Sequence, residues 1–235
     1  MLSATYRTRR NELETYFDRT AAEAWKKLMS DAPLRGVRAT VRAGRDAMRA
    51  LLLSRLPADL AGVRILDAGC GAGQLAFEAA RRGADVVAVD LAESLLQLAR
   101  SRAEAEALKG RVEFRAGDML DPALGRFDFV VCMDSLIHYE TADLLRALGA
   151  LAARTEHGVY FTVAPKTPLL SAMHAVGRFF PKGDRAPAIV PVEARALRNG
   201  VDREKTFAGW SVARIETVAS GFYTSSAVDL VRNEN

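Results

Sequence analysis

The sequence has 235 residues, 49% of them hydrophobic and 26% charged, which is the composition of a globular protein that can bury a sizeable core of its own. Cys70 and Cys132 are its only cysteines and lack metal-ligand spacing, so the sequence predicts a cytoplasmic protein without disulfides or a structural metal. The first residues, MLSATYRTRR, have no apolar core and no run approaches ~20 apolar residues, so we expect neither a signal peptide nor a membrane-spanning helix.

The positive charge is concentrated in two segments. Residues 1–50 contain 11 basic and 6 acidic side chains, and residues 165–205 contain 8 and 4, whereas the rest of the chain has 14 and 19. Basic segments on an acidic remainder favour an anionic substrate, nucleic acid or an anionic membrane surface, although an arginine-rich solvated surface gives the same pattern. Nucleic acid is disfavoured because these segments lack interleaved aromatic residues for base stacking.

The first 57 residues predict helices. Apolar residues recur at three- and four-residue spacing from Leu13 to Leu28. A second helix is predicted from Val37 to Leu56, where Pro57 ends it. We expect residues 1–57 to form a helical extension of a second, larger domain over residues 58–235.

From residue 63 onwards, short apolar runs alternate with helical patterns. Strands are predicted near 63–69, 85–90, 111–117, 126–133 and 158–165, with helices over 72–83, 94–109 and 141–154. This alternation predicts a doubly wound α/β fold with a mostly parallel sheet and helices on both faces. Runs at 210–219 and 222–231 predict an antiparallel pair at the sheet edge, and residues 165–205 form an insertion before it.

A glycine-rich turn follows the first strand. Asp67 ends that strand, and Gly69, Gly71 and Gly73 come next, where the backbone can turn sharply and approach a ligand. A dinucleotide-binding turn would place its last glycine at Gln74. The observed G-x-G-x-G spacing is instead the motif of class I methyltransferases, so we predict a Rossmann-like, seven-stranded methyltransferase fold that binds S-adenosylmethionine.

Acidic residues after the next two strands fit an adenosine. Asp90 can accept both ribose hydroxyls beside Leu91, and Asp118 can accept the adenine amino group while Met119 packs on the ring. Met133 ends the fourth strand at the expected lip of the pocket. Two alternatives stay open: Asp90 as the cap of the following helix, and Asp118 bonded within its own turn.

Three stretches resemble the magnesium-protoporphyrin IX O-methyltransferases of bacteriochlorophyll and chlorophyll synthesis. They are PKTPLL…MHAVGRFFPKGDRAPAI within residues 162–192, YFDRTAAEAW near the N-terminus, and MDSLIHY at 133–139. The resemblance covers essentially the whole chain. It implies transfer of a methyl group from S-adenosylmethionine to a propionate of magnesium-protoporphyrin IX, with S-adenosylhomocysteine as the second product.

The resemblance assigns candidate roles for binding the porphyrin. Met173 and Phe180 would belong to an apolar wall for the macrocycle, with Arg178, Lys182 and Arg185 around it to bind the propionates. The alternatives are a helix face that packs as ordinary core, and a helix that rests on the membrane surface.

Candidate catalytic residues follow in the same way. His138 is the candidate polar group at the reacting oxygen or near the porphyrin magnesium. The resemblance makes the N-terminal helix a lid, from which Tyr16 would close over the reacting groups. Both residues also fit purely structural roles. Arg42 and Gly44 are candidates for binding the methionine carboxylate, whereas His157 and His174 are weaker candidates.

The resemblance also bears on partners. We expect no nucleic acid, at most peripheral membrane contact, and a possible magnesium chelatase subunit as a docking partner. The alternative function is methyl transfer to a quinone or phenolic acceptor, which would need a general base.

Overall fold

The computed structural model describes residues 3–20, 36–166 and 188–233, with the backbone alone at residues 19 and 20. The strands are β1 (Arg64–Ala68), β2 (Asp85–Asp90), β3 (Arg111–Ala116), β4 (Phe127–Cys132), β5 (Thr155–Pro165), β6 (Pro191–Val192), β7 (Trp210–Ser220) and β8 (Tyr223–Arg232). The helices are α1 (Ala4–Thr15), α2 (Val37–Leu53), α3 (Gln74–Arg81), α4 (Glu93–Ala103), α5 (Thr141–Ala152) and α6 (Ala194–Arg203).

Seven strands form one twisted sheet in the order β3-β2-β1-β4-β5-β8-β7. Strands β1 to β5 are parallel, while β8 runs antiparallel to both β5 and β7. The short β6 pairs in parallel with the end of β5. This topology confirms the predicted doubly wound sheet with an antiparallel final pair at its edge.

Helices cover both faces of the sheet because the central strands are apolar on both sides. Ile65 belongs to one buried cluster with Met48 of α2 and Leu75 of α3, whereas Leu66 belongs to a second cluster with Leu148 of α5 and Leu197 of α6. All these side chains are almost completely buried. Each contributes about 2 kcal/mol of hydrophobic stabilisation, which fixes the carboxyl ends of the strands in place.

Several elements end earlier than the sequence patterns indicate. Helix α2 stops at Leu53 rather than Leu56, and after it the N–H groups of Arg55 and Leu56 bond to carbonyls three residues back, those of Leu52 (3.1 Å) and Leu53 (3.3 Å). The guanidinium of Arg82 donates to the carbonyls of Leu53 (2.9 Å) and Leu56 (3.1 Å) at this helix end. Helix α4 stops at Ala103 rather than 109 because the chain must turn back to begin β3.

Two further differences concern segments at the ends of the predicted elements. Helix α1 begins at Ala4, before the predicted apolar pattern, and continues into a π-helical turn over Tyr16–Thr20. Residues 21–28 of the predicted helix lie outside the described residues. Within the predicted insertion, β6 and α6 were not expected, and α6 buries Leu197 and Val201 in the core. In the parts of the chain that the structure describes, no helix combines the length and apolarity needed to cross a membrane.

Candidate active site

A pocket lies beyond the carboxyl ends of β1, β2 and β4, where the strand order reverses and doubly wound sheets bind their ligands. Most of the residues predicted from the sequence line this pocket: Tyr16, Gly69, Gly71, Asp90, Leu91, Asp118, Met119, Met133 and His138. Two predicted residues, Asp67 and Gly73, do not line the pocket.

The glycine turn is fixed by its neighbours. Gly69 has φ +85° and donates its N–H to the carbonyl of Val89 at 2.8 Å. A Cβ at this position would lie 2.4 Å from the Cβ of Ser135, whose hydroxyl donates to the carbonyl of Ala68 at 2.8 Å. Only glycine fits between the loop after β4 and the end of β1.

Gly73 serves the helix that follows. It adopts the left-handed conformation at the N-terminus of α3, and a Cβ there would lie 3.1 Å from the ring of Phe114. Its role is therefore close packing of the turn against β3.

Asp67 is buried beneath the turn, with 1% of its surface exposed. Burial, together with the nearby charge of Asp90, raises the pKa of Asp67 to about 7. Its Oδ2 has no hydrogen-bond partner among the described residues. This carboxyl is thus held close to its titration point at neutral pH.

Asp90 bonds both within its own turn and to the glycine turn. Its Oδ1 accepts the N–H of Ala92 at 2.9 Å, within its own turn, and its Oδ2 accepts the N–H of Gly71 at 2.8 Å. Burial raises the pKa of Asp90, and these N–H donors oppose that rise. The carboxylate therefore lines the pocket in a fixed orientation and retains lone pairs for further donors.

Asp118 is shared between its own turn and helix α1. Its Oδ1 accepts the N–H of Leu120 and the hydroxyl of Tyr6, both at 2.9 Å, and Arg10 approaches Oδ2 at 3.4 Å. The ring of Tyr6 stacks on Tyr139 at 4.8 Å, and burial raises the pKa of the Tyr6 phenol. Helix α1 therefore covers the β3 side of the pocket.

Tyr16 and His138 approach the same pocket from different elements. His138 is buried on a 3₁₀ turn, Leu136–His138, and its Nδ1 donates to the carbonyl of Ala188 at 3.2 Å. The ring of Phe17 lies 5.9 Å from His138 and 5.1 Å from Tyr16, between centroids. The predicted pair therefore belongs to one aromatic-lined part of the pocket.

Asp134, which follows Met133 at the predicted lip of the pocket, belongs to a polar cluster whose other members, Arg45 and Tyr223, were not predicted from the sequence. Arg45 pairs with Asp134 at 2.5 Å, and the Tyr223 hydroxyl donates to Asp134 Oδ1 at 3.1 Å. Asp134 has φ +55°, an unfavourable conformation for a non-glycine residue that is often found at functional sites. Its position directly after Met133, at the carboxyl end of β4, is the sequence feature that indicates a place at the pocket.

Neither of the two candidates on α2 for binding the methionine carboxylate, Arg42 and Gly44, lines the pocket. Gly44 packs against Tyr223, whose ring atoms would lie 2.5 to 2.8 Å from an added Cβ. Arg45, rather than Arg42, lines the pocket. Gly44 therefore supports the pocket through close packing.

The remaining candidates are not brought to the pocket. His157 lies near the start of β5, with its ring 5.2 Å from that of Phe129, at the opposite end of the sheet. His174 and the predicted porphyrin-binding residues Met173, Arg178, Phe180, Lys182 and Arg185 lie outside the described residues.

The pocket thus has two chemically different halves. Carboxylates on the β2 and β3 side can accept hydroxyl and amino groups of a nucleoside, beside the apolar Leu91 and Met119. The β4 side holds His138, Tyr16 and the Arg45–Asp134 pair in apolar and aromatic surroundings. This arrangement can hold a nucleoside cofactor and an apolar acceptor next to each other.

Comparison with known proteins identifies the family. Residues 132–232 match the family model described as magnesium-protoporphyrin IX methyltransferase C-terminus, and residues 65–158 match that of a methyltransferase domain. The magnesium-protoporphyrin O-methyltransferase of Rhodobacter capsulatus is 48% identical over 97% of this chain and 99% of its own length. A ubiquinone biosynthesis O-methyltransferase of Acinetobacter baylyi is 31% identical over 71% of this chain and 70% of its own length.

Among solved structures, the magnesium protoporphyrin IX methyltransferase of Synechocystis PCC 6803 with bound SAH superimposes with a TM-score of 0.79. It is 26% identical, and the match covers 95% of this chain and 99% of the other. The fold, the pocket and the 48% identity to a relative over almost the full length all indicate the same family. The chain belongs to the family of magnesium-protoporphyrin O-methyltransferases.

Proposed function

We propose that this protein transfers a methyl group from S-adenosylmethionine to a propionate carboxylate of magnesium-protoporphyrin IX, which forms the monomethyl ester. The 48% identity to the Rhodobacter capsulatus enzyme is the observation that carries this proposal. The two halves of the pocket support it, because one suits an adenosine and the other an apolar acceptor.

The residues present fit the cofactor. Asp90 would accept the ribose hydroxyls, and Asp118 the adenine amino group beside Met119 and Leu91. Gly69 and Gly71, whose backbone lines the pocket, would approach the methionine end, and Met133 would close the lip. When bound, S-adenosylmethionine supplies a methyl group on a positively charged sulfur.

The acceptor chemistry places modest demands on the protein. A propionate is ionised near pH 7, so no proton has to be removed before its oxygen attacks the methyl carbon. The new C–O bond forms as the C–S bond breaks, and the electron pair stays on the sulfur. The protein therefore acts mainly by holding the oxygen in line and by excluding water.

We assign these tasks to His138 and Tyr16, which reach the pocket from the turn after β4 and from the end of α1. The insertion residues Met173, Arg178, Phe180, Lys182 and Arg185 remain our candidates for binding the macrocycle and its propionates.

The test combines purified protein, S-adenosylmethionine and magnesium-protoporphyrin IX, followed by mass spectrometry of the porphyrin. We expect a mass gain of one methylene unit, which disappears in an Asp90→Ala variant because the ribose hydroxyls lose their acceptor. If S-adenosylmethionine binds by calorimetry but the porphyrin stays unmodified, the acceptor assignment is wrong.

A quinone or phenolic acceptor is the second candidate, favoured by the 31% identity to the ubiquinone-pathway enzyme. The same assay with a catechol acceptor tests it. Methylation of the catechol without methylation of the porphyrin would select this candidate.

We also propose that the protein contacts the membrane at most peripherally, and that a magnesium chelatase subunit docks on it. The basic segments 1–50 and 165–205 support an anionic contact surface. Flotation with anionic vesicles and co-purification with chelatase subunits test the two proposals separately.

A further inference from the structure

Large apolar side chains are exposed at only three positions in the described parts of the chain. They are Val37, Ile189 and Phe222, with 51%, 37% and 61% of their surfaces exposed. Ile189 and Phe222 also line the active-site pocket. Val37 begins α2 and does not line it. An exposed aromatic ring at the mouth of a pocket is typical of a side chain that acquires its contacts on binding.

The backbone that carries Phe222 is held firmly on both sides. Gly221 has φ +56°, and a Cβ there would lie 2.5 Å from the hydroxyl oxygen of Thr40, so the hairpin turn rests directly on α2. Tyr223 is buried, and its hydroxyl donates to Asp134, which pairs with Arg45. Phe222 therefore projects from a fixed turn between two anchored neighbours.

The strand order places this turn in the acceptor half of the pocket. Strand β7 runs parallel to β5, so the β7–β8 turn lies at the same sheet edge as the carboxyl ends of β1 to β5. Asp90 and Asp118 follow β2 and β3, on one side of β1, whereas the hairpin lies on the other side, beyond β4 and β5. Phe222 is therefore far along the sheet from the carboxylates that suit an adenosine.

Ile189 connects the same region to His138. The carbonyl of Ala188 accepts from the His138 ring at 3.2 Å, and the N–H of Val190 donates to the carbonyl of Ile137 at 2.8 Å. The backbone on both sides of Ile189 is thus bonded to the turn that carries His138. Ile189 and Phe222 form apolar parts of the wall in the half of the pocket that holds the candidate catalytic histidine.

We propose that Phe222 is a specificity-determining residue whose ring packs face to face on the planar macrocycle of the acceptor. This inference rests on the proposed function, because a flat, apolar ring system is the acceptor chemistry that an exposed phenyl face recognises. A small phenolic acceptor bound deep in the pocket would not extend to the hairpin tip. Phe222 therefore discriminates by the size and flatness of the acceptor.

The experiment measures the affinity of the full-length protein for magnesium-protoporphyrin IX by porphyrin fluorescence in the presence of S-adenosylhomocysteine. We expect Phe222→Ala to raise the Kd about tenfold, and Phe222→Leu to raise it nearly as much, whereas Phe222→Trp stays close to wild type. Binding of S-adenosylhomocysteine, measured by calorimetry, should be unchanged in all three variants. Val37→Ala, which truncates an exposed apolar side chain outside the pocket lining, is the matched control and should bind the porphyrin normally.

Steady-state assays should show a raised KM for the porphyrin with kcat nearly unchanged for Phe222→Ala. An unchanged porphyrin affinity in Phe222→Ala, or a wild-type affinity in Phe222→Leu, would overturn the inference. Failure of the wild-type protein to esterify the porphyrin would overturn the proposed function instead, so the two failures are distinguishable.

Discussion

At the residue scale, the acids of the site differ in how their charges are compensated. Asp90 and Asp118 accept hydrogen bonds from backbone N–H groups, which hold their carboxylates in place. Asp67, in contrast, has one oxygen without a hydrogen-bond partner among the described residues. A buried carboxyl with incomplete compensation favours its protonated form. Asp67 therefore affects the pH dependence of stability more directly than it affects ligand binding.

We expect the stability cost of Asp67 to grow with pH. Its folded-state pKa of about 7 exceeds the ordinary value of 3.8, so the folded protein keeps a proton that the unfolded chain releases as the pH rises through 4. The free energy of unfolding therefore decreases as the pH rises from about 4 to about 7, and the loss is complete above pH 7. Relative to wild type, Asp67→Asn should gain roughly 2 kcal/mol between pH 5.5 and pH 8.

Urea unfolding at the two pH values measures this gain. Asp202→Asn, at an exposed aspartate of α6, controls for the exchange of a carboxyl for an amide. A difference between Asp67→Asn and wild type that does not change with pH would contradict the raised pKa.

The role of His138 is tested by removing its imidazole. Because a carboxylate acceptor is already ionised, His138→Ala should lower kcat less than about 100-fold, the smallest effect usually attributed to general base catalysis. The pH–rate profile should keep its shape. A larger loss that is restored at high pH or by added imidazole would show that a proton is removed during catalysis.

At the element scale, the glycine turn depends on one close contact. Gly69 and Gly62 both have positive φ, +85° and +77°, but only Gly69 faces another side chain, that of Ser135. Gly62→Ala should cost about 1 kcal/mol of stability and leave cofactor affinity intact. Gly69→Ala adds a steric overlap, which should displace the turn and weaken S-adenosylhomocysteine binding at least about tenfold. Calorimetry measures the affinity of both variants for S-adenosylhomocysteine. Equal affinities would show that the contact between Gly69 and Ser135 does not hold the turn in place.

Helix α1 provides a second prediction at this scale. Tyr6→Phe removes a hydrogen bond of 2.9 Å to the Asp118 carboxylate while it keeps the ring stacked on Tyr139. A bond to a charged group contributes about 1.5 to 3 kcal/mol, so amide exchange in α1 should accelerate at least about tenfold. Unchanged exchange would mean that packing alone holds the helix.

The elements also show what a single sequence can and cannot predict. The positions of β1 to β5 and of Asp90 and Asp118 follow from local patterns, because each residue comes directly after an apolar run. The contacts of Tyr6 with Asp118 and of Arg45 with Asp134 join residues 112 and 89 positions apart, and no local pattern encodes such pairs. The same reason explains the end of α2, where the capping guanidinium belongs to Arg82.

At the scale of the whole molecule, the pocket joins α1, α2, the sheet and the β7–β8 hairpin, so ligand binding should stabilise the entire fold. At 100 times its Kd, S-adenosylhomocysteine contributes about 2.7 kcal/mol, which raises the Tm by roughly 5 to 10 °C for a chain of this size. Differential scanning fluorimetry measures the shift, and Asp90→Ala should abolish it. A shift that persists in this variant would place the ribose elsewhere.

The contact between Asp118 and Tyr6 makes one carboxylate common to the nucleoside half of the pocket and to the N-terminal helix. If a bound nucleoside makes the docking of α1 more favourable, then docking of α1 must increase the affinity of the pocket for the nucleoside by the same free energy. A partner that binds the outer face of α1 would therefore act as an effector of cofactor binding, with the same reciprocal coupling.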